Sequence, residues 1–572
     1  MNEYKPLPIG IDNFEEIIQL GCYYVDKTLL IKTLLDTTSK VTLFTRPRRF
    51  GKSLNLSMLQ YFFEKDLTSH VPPNGKSDTY ELFQGLKIAS AGEKYQAHMG
   101  KYPVIMLNFK SAKQGTFEYC YTAICQMIAS EYERHSVILD REGLTEEQKR
   151  TYQLLRTQEA DYMTVVGSIQ FLCQCLEQVY GEKVILLLDE YDVPLENSYF
   201  RKFYVEMVDF IRGLLGEALK TNNSLKFAVI TGCLRISKES IFTGLNNLVA
   251  VSIENKEYGE YFGFTEGEVR EMLAHYDREQ CTDLVREWYN GYIFGETQVY
   301  NPWSLMNYMN DVRVDAKSYP TAHWANTSSN SIVKDLIYGA DEVVKAEIEV
   351  LLSGGSIEKP IHEDITYEDV YKSKDNLWNF LYFTGYLKKV KERYENRKKY
   401  ATLTIPNEEV AYIYDEHIMD WMNECVYSAD LTKLYEATIA GDVDIMEEEI
   451  TRVLERTISC YDGTVPNQRE TFYHGVMIGL YQGMKGYLPI SNRESGNGRP
   501  DFIVKYITHR GKACIMEFKV AEKVVEIESK VQEALNQVED RKYRVGLEEE
   551  GYTDILEYGI AFYKKTCVVR RR

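Results

Sequence analysis

Gly51, Lys52 and Ser53 are the residues whose chemistry is clearest from the sequence. They follow the apolar run VTLF and precede a stretch with apolar residues at helical spacing. A strand that leads through a short loop into a helix surrounds an anion with backbone N–H groups and the positive end of the helix dipole. Gly-Lys-Ser ends the pattern G-x-x-x-x-G-K-[ST], in which the lysine contacts phosphates and the hydroxyl contacts Mg²⁺. The sequence therefore predicts a site for ATP and Mg²⁺. The nucleotide-binding residues predicted from the loop are Arg48, Arg49, Phe50, Gly51, Lys52, Ser53 and Leu54.

The loop departs from this pattern at its first position. Arg46 stands where the first glycine is expected, and Pro47 follows it. Arginine does not easily adopt a positive φ, and proline has no N–H to donate to a phosphate. Residues 48–53 keep their amides, so the sequence favours nucleotide binding more strongly than hydrolysis.

A second motif supplies the acids that a nucleotide site needs. The apolar run VILLL ends in Asp189 and Glu190, which is typical of a buried strand that carries carboxylates to the edge where ligands bind. We expect Asp189 and Ser53 to hold Mg²⁺, and Glu190 to act as the catalytic base. Thr231 ends a third apolar run and is predicted to contact the γ-phosphate. Charge stabilisation or a structural role is open for Arg48, Arg49 and Arg235.

A second candidate site lies near the C-terminus. Asp501 begins one predicted strand, and Glu517 and Lys519 share a face near the end of the next. Two carboxylates that hold Mg²⁺ beside an ammonium group are suited to metal-assisted hydrolysis of a phosphodiester. These three residues are predicted to be catalytic, with Asp501 and Glu517 as metal ligands. Flanking residues with expected supporting roles are Glu470 as a further metal ligand, Gln537 as an orienting group, and Glu494 and Arg499 as substrate contacts or turn residues.

Composition limits the classes of protein that the chain fits. Its 572 residues contain no run of eighteen apolar residues, and the N-terminus lacks the form of a secretory signal, so we expect a cytoplasmic protein without a membrane partner. The scattered cysteines are expected to be reduced. A net charge of −19 argues against a protein that coats nucleic acid. Residues 465–572 hold 18 Lys and Arg against 15 Asp and Glu, so any DNA contact is expected there.

The elements that must position these residues follow from their patterns. Buried strands alternate with helical stretches through residues 40–250, which predicts an α/β fold with a doubly wound parallel sheet. Residues 250–365 are predicted to be mostly helical. An apolar helix followed by a hairpin-like pair at 376–410 indicates a winged-helix-like module, interpreted as a packing or coupling element. The C-terminal region is predicted to be a separate α/β domain.

Five segments resemble those of a known family. They are PLPIGIDNFEEII, YYVDKTLLI, LFTRPRRFGKSLNLSML, LLLDEYDVPL and ITGCLRISKESIFTGLNNL. The chain resembles the bacterial AAA-ATPase-like family, whose members commonly carry a C-terminal PD-(D/E)XK nuclease-type domain. The resemblance implies that Arg46 and Pro47 are a family variant of the loop. Pro500-Asp501 and Glu517-x-Lys519 are similar to the motif of the nuclease-type domain. The domains expected are 1–260, AAA-ATPase-like; 261–464, helical and winged-helix-like; and 465–572, nuclease-like.

Two functional hypotheses remain from the sequence, with a structural protein that binds no ATP as a third. The first is an ATP-hydrolysing protein whose nucleotide state controls Mg²⁺-dependent cleavage of DNA. The second is a nucleotide-dependent switch or scaffold whose C-terminal domain holds nucleic acid or a protein partner, or self-associates, without cleavage.

Overall fold

The chain forms two compact units, which are described separately. The computed structural model describes residues 4–65, 78–235, 241–242, 247–324, 342–352, 354–363, 373–414, 430–457, 466–491, 500–508 and 511–572. The first unit consists of residues 1–327 and 358–410, and the second of residues 328–357 and 411–572. The predicted middle region is thus shared between the units, and the three-domain division stays a prediction.

A five-stranded sheet forms the centre of the first unit. Its strands are β1 (Val41–Thr45), β2 (Val104–Asn108), β3 (Val184–Asp189), β4 (Leu225–Gly232) and β5 (Leu248–Val251). Their order is β2-β3-β4-β1-β5, and every neighbouring pair is parallel. Every residue of β1 and of β3 is buried, as expected for strands covered by helices on both faces. The predicted parallel α/β sheet is confirmed.

Helices connect these strands and cover the sheet. They are α1 (Phe14–Gln19), α2 (Leu29–Thr37), α3 (Lys52–Phe63), α4 (Asp78–Leu82), α5 (Glu93–Gln96), α6 (Phe117–Arg134), α7 (Glu146–Arg156), α8 (Tyr162–Val166), α9 (Ser168–Tyr180), α10 (Val193–Arg201) and α11 (Tyr204–Leu219). Strand β4 lies between β1 and β3, so the carboxyl ends of these three strands meet at one edge. The loop before α3, the acids after β3 and Thr231 on β4 therefore share this edge.

Residues 264–314 combine helices with a small sheet. The elements are β6 (Phe264–Thr265), α12 (Glu266–His275), α13 (Thr282–Tyr289), β7 (Tyr292–Phe294), β8 (Thr297–Tyr300) and α14 (Pro302–Val314). The described part of this segment is mostly helical, as predicted, but it also includes an antiparallel hairpin of β7 and β8, which was not predicted. Gly295 makes this turn with a φ of 63°, a conformation that glycine adopts without a steric penalty.

A helix and a long hairpin complete the part of the first unit that bears on function. Strand β9 (Ile357–Ile361) begins at the border of the units, and an additional helix, α15 (Glu342–Leu352), belongs to the second unit. Helix α16 (Lys374–Phe383) precedes β10 (Lys388–Glu395) and β11 (Lys398–Thr404), and the sheet order is β10-β11-β9. The predicted apolar helix and hairpin-like pair are confirmed, and the winged-helix-like interpretation stays a prediction.

The second unit is built on a mixed five-stranded sheet. Its elements are α17 (Thr432–Ala440), α18 (Val443–Thr457), α19 (Pro466–Gln482), β12 (Tyr487–Ser491), β13 (Phe502–Tyr506), β14 (Ala513–Val520), α20 (Ile527–Asp540), α21 (Tyr543–Glu549), β15 (Ile555–Tyr563) and β16 (Thr566–Arg571). The order is β12 to β16, with β14 and β15 parallel and the other pairs antiparallel. Helix α20 makes the crossover between the parallel strands. The predicted strand 513–520 and amphipathic helix are confirmed.

Alternation along β14 divides this unit into two cores. Cys514, Met516 and Phe518 belong to one apolar cluster, which includes residues of α17, α18 and α19. Ala513 and Ile515 belong to another, with residues of α20 and α21. Glu517 and Lys519 continue this second face toward the carboxyl end of β14, because side chains alternate along a strand.

Two further predictions concern cysteines and membranes. Each of the nine cysteines that lie within the described ranges is free, as expected. No helix in the described part of the chain is long and apolar enough to cross a membrane.

Candidate functional sites: a phosphate loop and a carboxylate pair

The loop between β1 and α3 has its positive φ angles at Arg49 and Gly51, not at Arg46. These angles are 70° and 78°. Arg46 therefore needs no glycine-like conformation, and the conformational objection raised by its missing glycine does not apply. Gly51 precedes the first residue of α3, so the helix N-terminus opens directly onto the loop.

Arg46 has a structural role that the sequence did not predict. Its side chain is fully buried, and the guanidinium carbon lies 5.1 Å from the ring centroids of both Phe262 and Phe294. Nη1 donates to the carbonyl oxygens of Thr45 (2.8 Å) and Val251 (2.9 Å). Burial lowers the pKa of Arg46 to about 9. Arg46 thus fastens the start of the loop to β5 and to the aromatic core beside it.

Lys52 spans the loop from its far end. Its Nζ donates to the carbonyl oxygens of Arg46 and Pro47, each at 2.9 Å. The lysine is buried, and its ammonium group lies 3.8 Å from the sulfur of Cys233. This geometry holds a positive charge inside the loop, where the phosphates of a nucleotide would lie.

Asp189 is the centre of the predicted metal side of the site. Its Oδ2 accepts hydrogen bonds from Ser53 Oγ at 2.6 Å and from Asn108 Nδ2 at 2.9 Å. Its Oδ1 accepts from Thr231 Oγ1 at 2.5 Å. The structure therefore brings together Ser53, Asp189 and Thr231, which lie 178 positions apart in the sequence at their extremes. Asn108, from the end of β2, was not predicted.

Glu190 follows Asp189 and adopts an uncommon backbone conformation. Its φ is 51°, a left-handed value that a non-glycine residue adopts at a cost of about 1–2 kcal/mol. Burial raises the pKa of Glu190, and the charge of Asp189 raises it further, while Lys52 acts in the opposite direction. A carboxyl group with a raised pKa beside a phosphate loop is a better proton acceptor than an ordinary carboxylate.

Tyr191 and Asp192 fix the turn that follows β4. Asp192 is buried, and its Oδ2 accepts from the amides of Cys233 (2.7 Å) and Leu234 (3.1 Å). Burial raises the pKa of Asp192. Tyr191 donates its hydroxyl proton to the carbonyl of Leu234 at 2.7 Å. A Cβ on Gly232 would lie 2.6 Å from the ring of Tyr191, so only glycine fits there.

The remaining residues predicted around the loop have different surroundings. Arg48 forms an ion pair with Glu196, and Arg235 lies 3.5 Å from Glu363. Exposed Arg49 stacks on Trp303, with its guanidinium carbon 4.2 Å from the ring centroid. The ring of Phe50 is buried against Tyr292 and Phe294, so only its backbone can serve a nucleotide. Leu54 is partly buried in the first turn of α3.

The second candidate site brings Asp501 and Glu517 together at the ends of β13 and β14. The amide of Asp501 donates to Glu517 Oε2 at 3.2 Å, and Asp501 Oδ2 accepts from the amide of Phe518 at 2.8 Å. Lys519 Nζ lies 3.7 Å from Glu517 Oε1, which also accepts a hydrogen bond from Gln537 on α20. Glu517 is almost completely buried. These contacts agree with the expectation from strand alternation.

The remaining predictions for the second site concern Glu470, Glu494 and Arg499. The first lies within α19, but its side chain is not among those described, and the other two lie outside the described residues. Tyr543, which sequence reasoning missed, lies 3.4 Å from Gln537 Nε2, and burial raises its pKa, with the charges of Glu517 and Asp501 adding to the effect.

Both sites contain the hard oxygen ligands that Mg²⁺ prefers. The first has the Ser53 hydroxyl and the Asp189 carboxylate 2.6 Å apart, beside a cationic loop. The second has two carboxylates on neighbouring strands. Within the described ranges, no three His, Cys, Asp or Glu side chains form a metal-binding group. The residues present therefore fit Mg²⁺ as partial sites, to which phosphate and water oxygens would add ligands.

Comparisons with known proteins agree with this geometry. Residues 8–242 match the family described as predicted AAA-ATPase, and residues 468–572 match the PD-(D/E)XK nuclease superfamily. The chain thus contains an AAA-ATPase-like region at residues 8–242 and a PD-(D/E)XK nuclease-superfamily domain at residues 468–572. A protein of Azotobacter chroococcum mcd 1, described as an uncharacterized protein in the vnfD 5′ region, is 25% identical over 544 residues. The similarity covers 94% of this chain and 93% of that protein.

Several residues of the AAA-ATPase-like region could have been found from signals in its sequence. Asn108 ends the apolar run VIML as Asp189 ends VILLL, so both are polar residues at a predicted carboxyl edge. Gly232 directly follows Thr231 at the end of another apolar run, so it too lies at a predicted carboxyl edge. Asp192 had no such signal, because its role depends on a turn that begins 41 residues later.

Proposed function

We propose that the AAA-ATPase-like region binds ATP with Mg²⁺ and hydrolyses it. The observation that carries this proposal is the contact of Ser53, Asn108 and Thr231 with the single carboxylate of Asp189. Side chains from β2, β3, β4 and α3 thereby meet at one point beside the loop. A structural protein with no ligand would have little reason to bury a carboxylate with polar partners here.

Each residue has a distinct task in this proposal. Lys52 and the amides of residues 48–53 hold the phosphates, while Ser53 and Asp189 hold Mg²⁺, which supplies charge neutralisation when bound. Glu190 accepts a proton from the attacking water. Thr231 positions the γ-phosphate side of the site, and the turn held by Asp192 keeps Thr231 in place.

Titration with ATP in the presence of Mg²⁺ tests the proposal on the full chain. Lys52→Ala should abolish binding, because the loop loses its cation. Glu190→Gln should bind ATP as tightly as the wild type but lose at least 100-fold in kcat, since a general base contributes on that scale. Equal hydrolysis by wild type and Glu190→Gln would remove Glu190 from the mechanism.

We also propose that the C-terminal domain cleaves DNA with Mg²⁺, under control of the nucleotide state. Asp501 and Glu517 would hold the metal, and Lys519 would stabilise charge on the scissile phosphate. The pairing of Asp501 with Glu517, and of Glu517 with Lys519, supports this role.

One variant distinguishes the nuclease proposal from the alternative, which is a switch that binds nucleic acid or a protein without cleavage. Asp501→Asn keeps the size of the side chain and its contact with the Phe518 amide, but removes the charge that a metal needs. Cleavage should disappear while DNA binding stays within about twofold of the wild type. A scaffold would retain its whole activity in Asp501→Asn.

A further inference from the structure

The β10–β11 hairpin carries a concentration of cations in an acidic protein. Residues 388–399 contain seven Lys and Arg against two Glu, whereas the chain has a net charge of −19. Every residue from 390 to 398 is exposed, so side chains on both faces of this part of the hairpin are accessible.

Two lysines of the hairpin are fastened to the segment that follows the nucleotide-binding sheet. Glu254, three residues after β5, accepts hydrogen bonds from Lys389 at 3.0 and 3.1 Å, and also from Lys399 and Tyr382. Lys389 lies at the base of the hairpin, whereas Lys399 pairs with Tyr394 closer to the turn. The carbonyl of Val251, the last residue of β5, is the one that Arg46 binds. Lys389 and Lys399 are thus neutralised inside the unit, as expected of a coupling element.

The cations near the tip are not neutralised in this way. Arg393 is paired with Glu358 and Glu395. Arg397 and Lys398 at the turn form no ion pair with any residue that the structure describes, and neither does Lys391, which lies opposite Thr402 on the exposed part of β10. Asn396 and Arg397 form the turn, with φ angles of 47° and 64°. Two consecutive positive φ angles are typical of the tight hairpin turns that match the twist of two strands.

We propose that the tip of this hairpin binds the phosphate backbone of duplex DNA. A two-stranded ribbon fits the major groove of B-DNA, and unpaired Lys and Arg at its tip can neutralise phosphates on release of counterions. Tyr394 is the one aromatic residue between 391 and 398, and the others are polar or charged, which disfavours insertion into a lipid surface. The choice of DNA as partner rests on the proposed function. The sequence-based interpretation as a packing or coupling element then applies only to the part of the hairpin that Glu254 binds through Lys389 and Lys399.

A triple variant tests the proposal in the full chain, in an Asp501→Asn background that prevents cleavage. Lys391→Thr, Arg397→Gly and Lys398→Thr remove three charges but keep strand-forming residues and a glycine suited to the turn. The matched control is Arg150→Gln, Lys183→Gln and Lys220→Gln, three exposed residues elsewhere in the unit. The probe is a labelled 25-base-pair duplex, followed by anisotropy from 50 to 200 mM salt.

The hairpin variant should bind at least tenfold more weakly at 100 mM salt. The slope of log Kobs against log salt should fall in magnitude by about 2 to 3, since each phosphate contact contributes about 0.9. The control should keep the affinity and slope of the parent. Equal losses in both variants, no loss in the hairpin variant, or absence of duplex binding by the parent would each overturn the proposal.

Two further arms separate this proposal from others. The hairpin variant is also tested against anionic phosphatidylserine vesicles and a polyglutamate peptide. If it loses binding to either of these but keeps duplex binding, the tip serves another partner and the inference is overturned. If the wild type cleaves DNA and the hairpin variant binds duplex as well as its parent, the proposed function is supported and the hairpin inference is overturned. Hairpin-dependent binding without cleavage would support the inference and remove the nuclease activity.

Discussion

Asp189 shows how a residue type and its position could be predicted while its partners could not. An acid after a buried apolar strand predicts a ligand at the carboxyl edge, and Asp189 lies there. Its contact with Asn108 depends on which strands are neighbours, and strand order is set by long-range packing that one sequence does not display. The positive φ of Arg49 could not be predicted for a related reason, because the conformation of a loop depends on the tertiary contacts that hold its two ends.

Gly232 provides a test at the residue scale. Gly232→Ala places a methyl group 2.6 Å from the ring of Tyr191 and 2.9 Å from Asp192 Oδ1, and both side chains are buried. We expect a loss of about 1–3 kcal/mol in the free energy of unfolding, as for an overpacked core, together with a lower kcat for ATP because Thr231 moves. Chemical denaturation and steady-state hydrolysis measure these effects.

Gly115→Ala is the matched control for this substitution. No atom lies within 4 Å of the position where its Cβ would be, and its φ is not in the left-handed region. Its stability should change by less than about 0.5 kcal/mol. Tolerance of both substitutions would mean that the turn after β4 is not held as described.

At the scale of elements, the strands of both sheets follow from apolar runs, but several connections do not. The run 513–520 becomes β14 without a change of boundary, and residues 374–404 form the helix and hairpin that were predicted. The β7–β8 hairpin was missed because strands of three and four residues are too short to show a period of two.

Glu409 provides a test of how the segment after β11 is attached. This glutamate is completely buried, and its Oε1 accepts from the amide of Trp324 at 2.9 Å, while its Oε2 has no hydrogen-bond partner among the described atoms. Burial raises the pKa of Glu409 to about 7. The folded protein therefore holds this proton more tightly than the unfolded chain does.

The sign of the pH effect follows from this raised pKa. The stabilisation is complete below the unfolded pKa, near 4.5, and is lost as the pH rises through about 7. The loss should amount to about 3 kcal/mol between pH 4.5 and 8 for the transition that unfolds the first unit. Glu409→Gln should remove this dependence, and Glu408→Gln, at an exposed neighbour, should retain it. Identical pH profiles for the three proteins would contradict the assignment.

At the scale of the whole molecule, an AAA-ATPase-like region and a nuclease-superfamily domain are joined in one chain. The family matches cover residues 8–242 and 468–572, and the parts in between include the hairpin that Glu254 fastens to the nucleotide-binding sheet. The sequence predicted both terminal domains because each contains a short motif at a strand end. It did not predict the two compact units, since the first unit includes residues from both sides of a segment that belongs to the second.

Nucleotide control of DNA cleavage would link the two proposed activities of this protein. The most direct measurement is the rate of nicking or cutting of supercoiled DNA by the full chain with Mg²⁺, with and without ATP, for wild type, Glu190→Gln and Asp501→Asn. We predict that ATP changes the wild-type cleavage rate at least tenfold. Glu190→Gln, which binds ATP without hydrolysing it, should keep the cleavage rate of the ATP-bound state. Asp501→Asn should be inactive with and without ATP. A rate that is the same with and without ATP, or cleavage that survives in Asp501→Asn, would contradict the account.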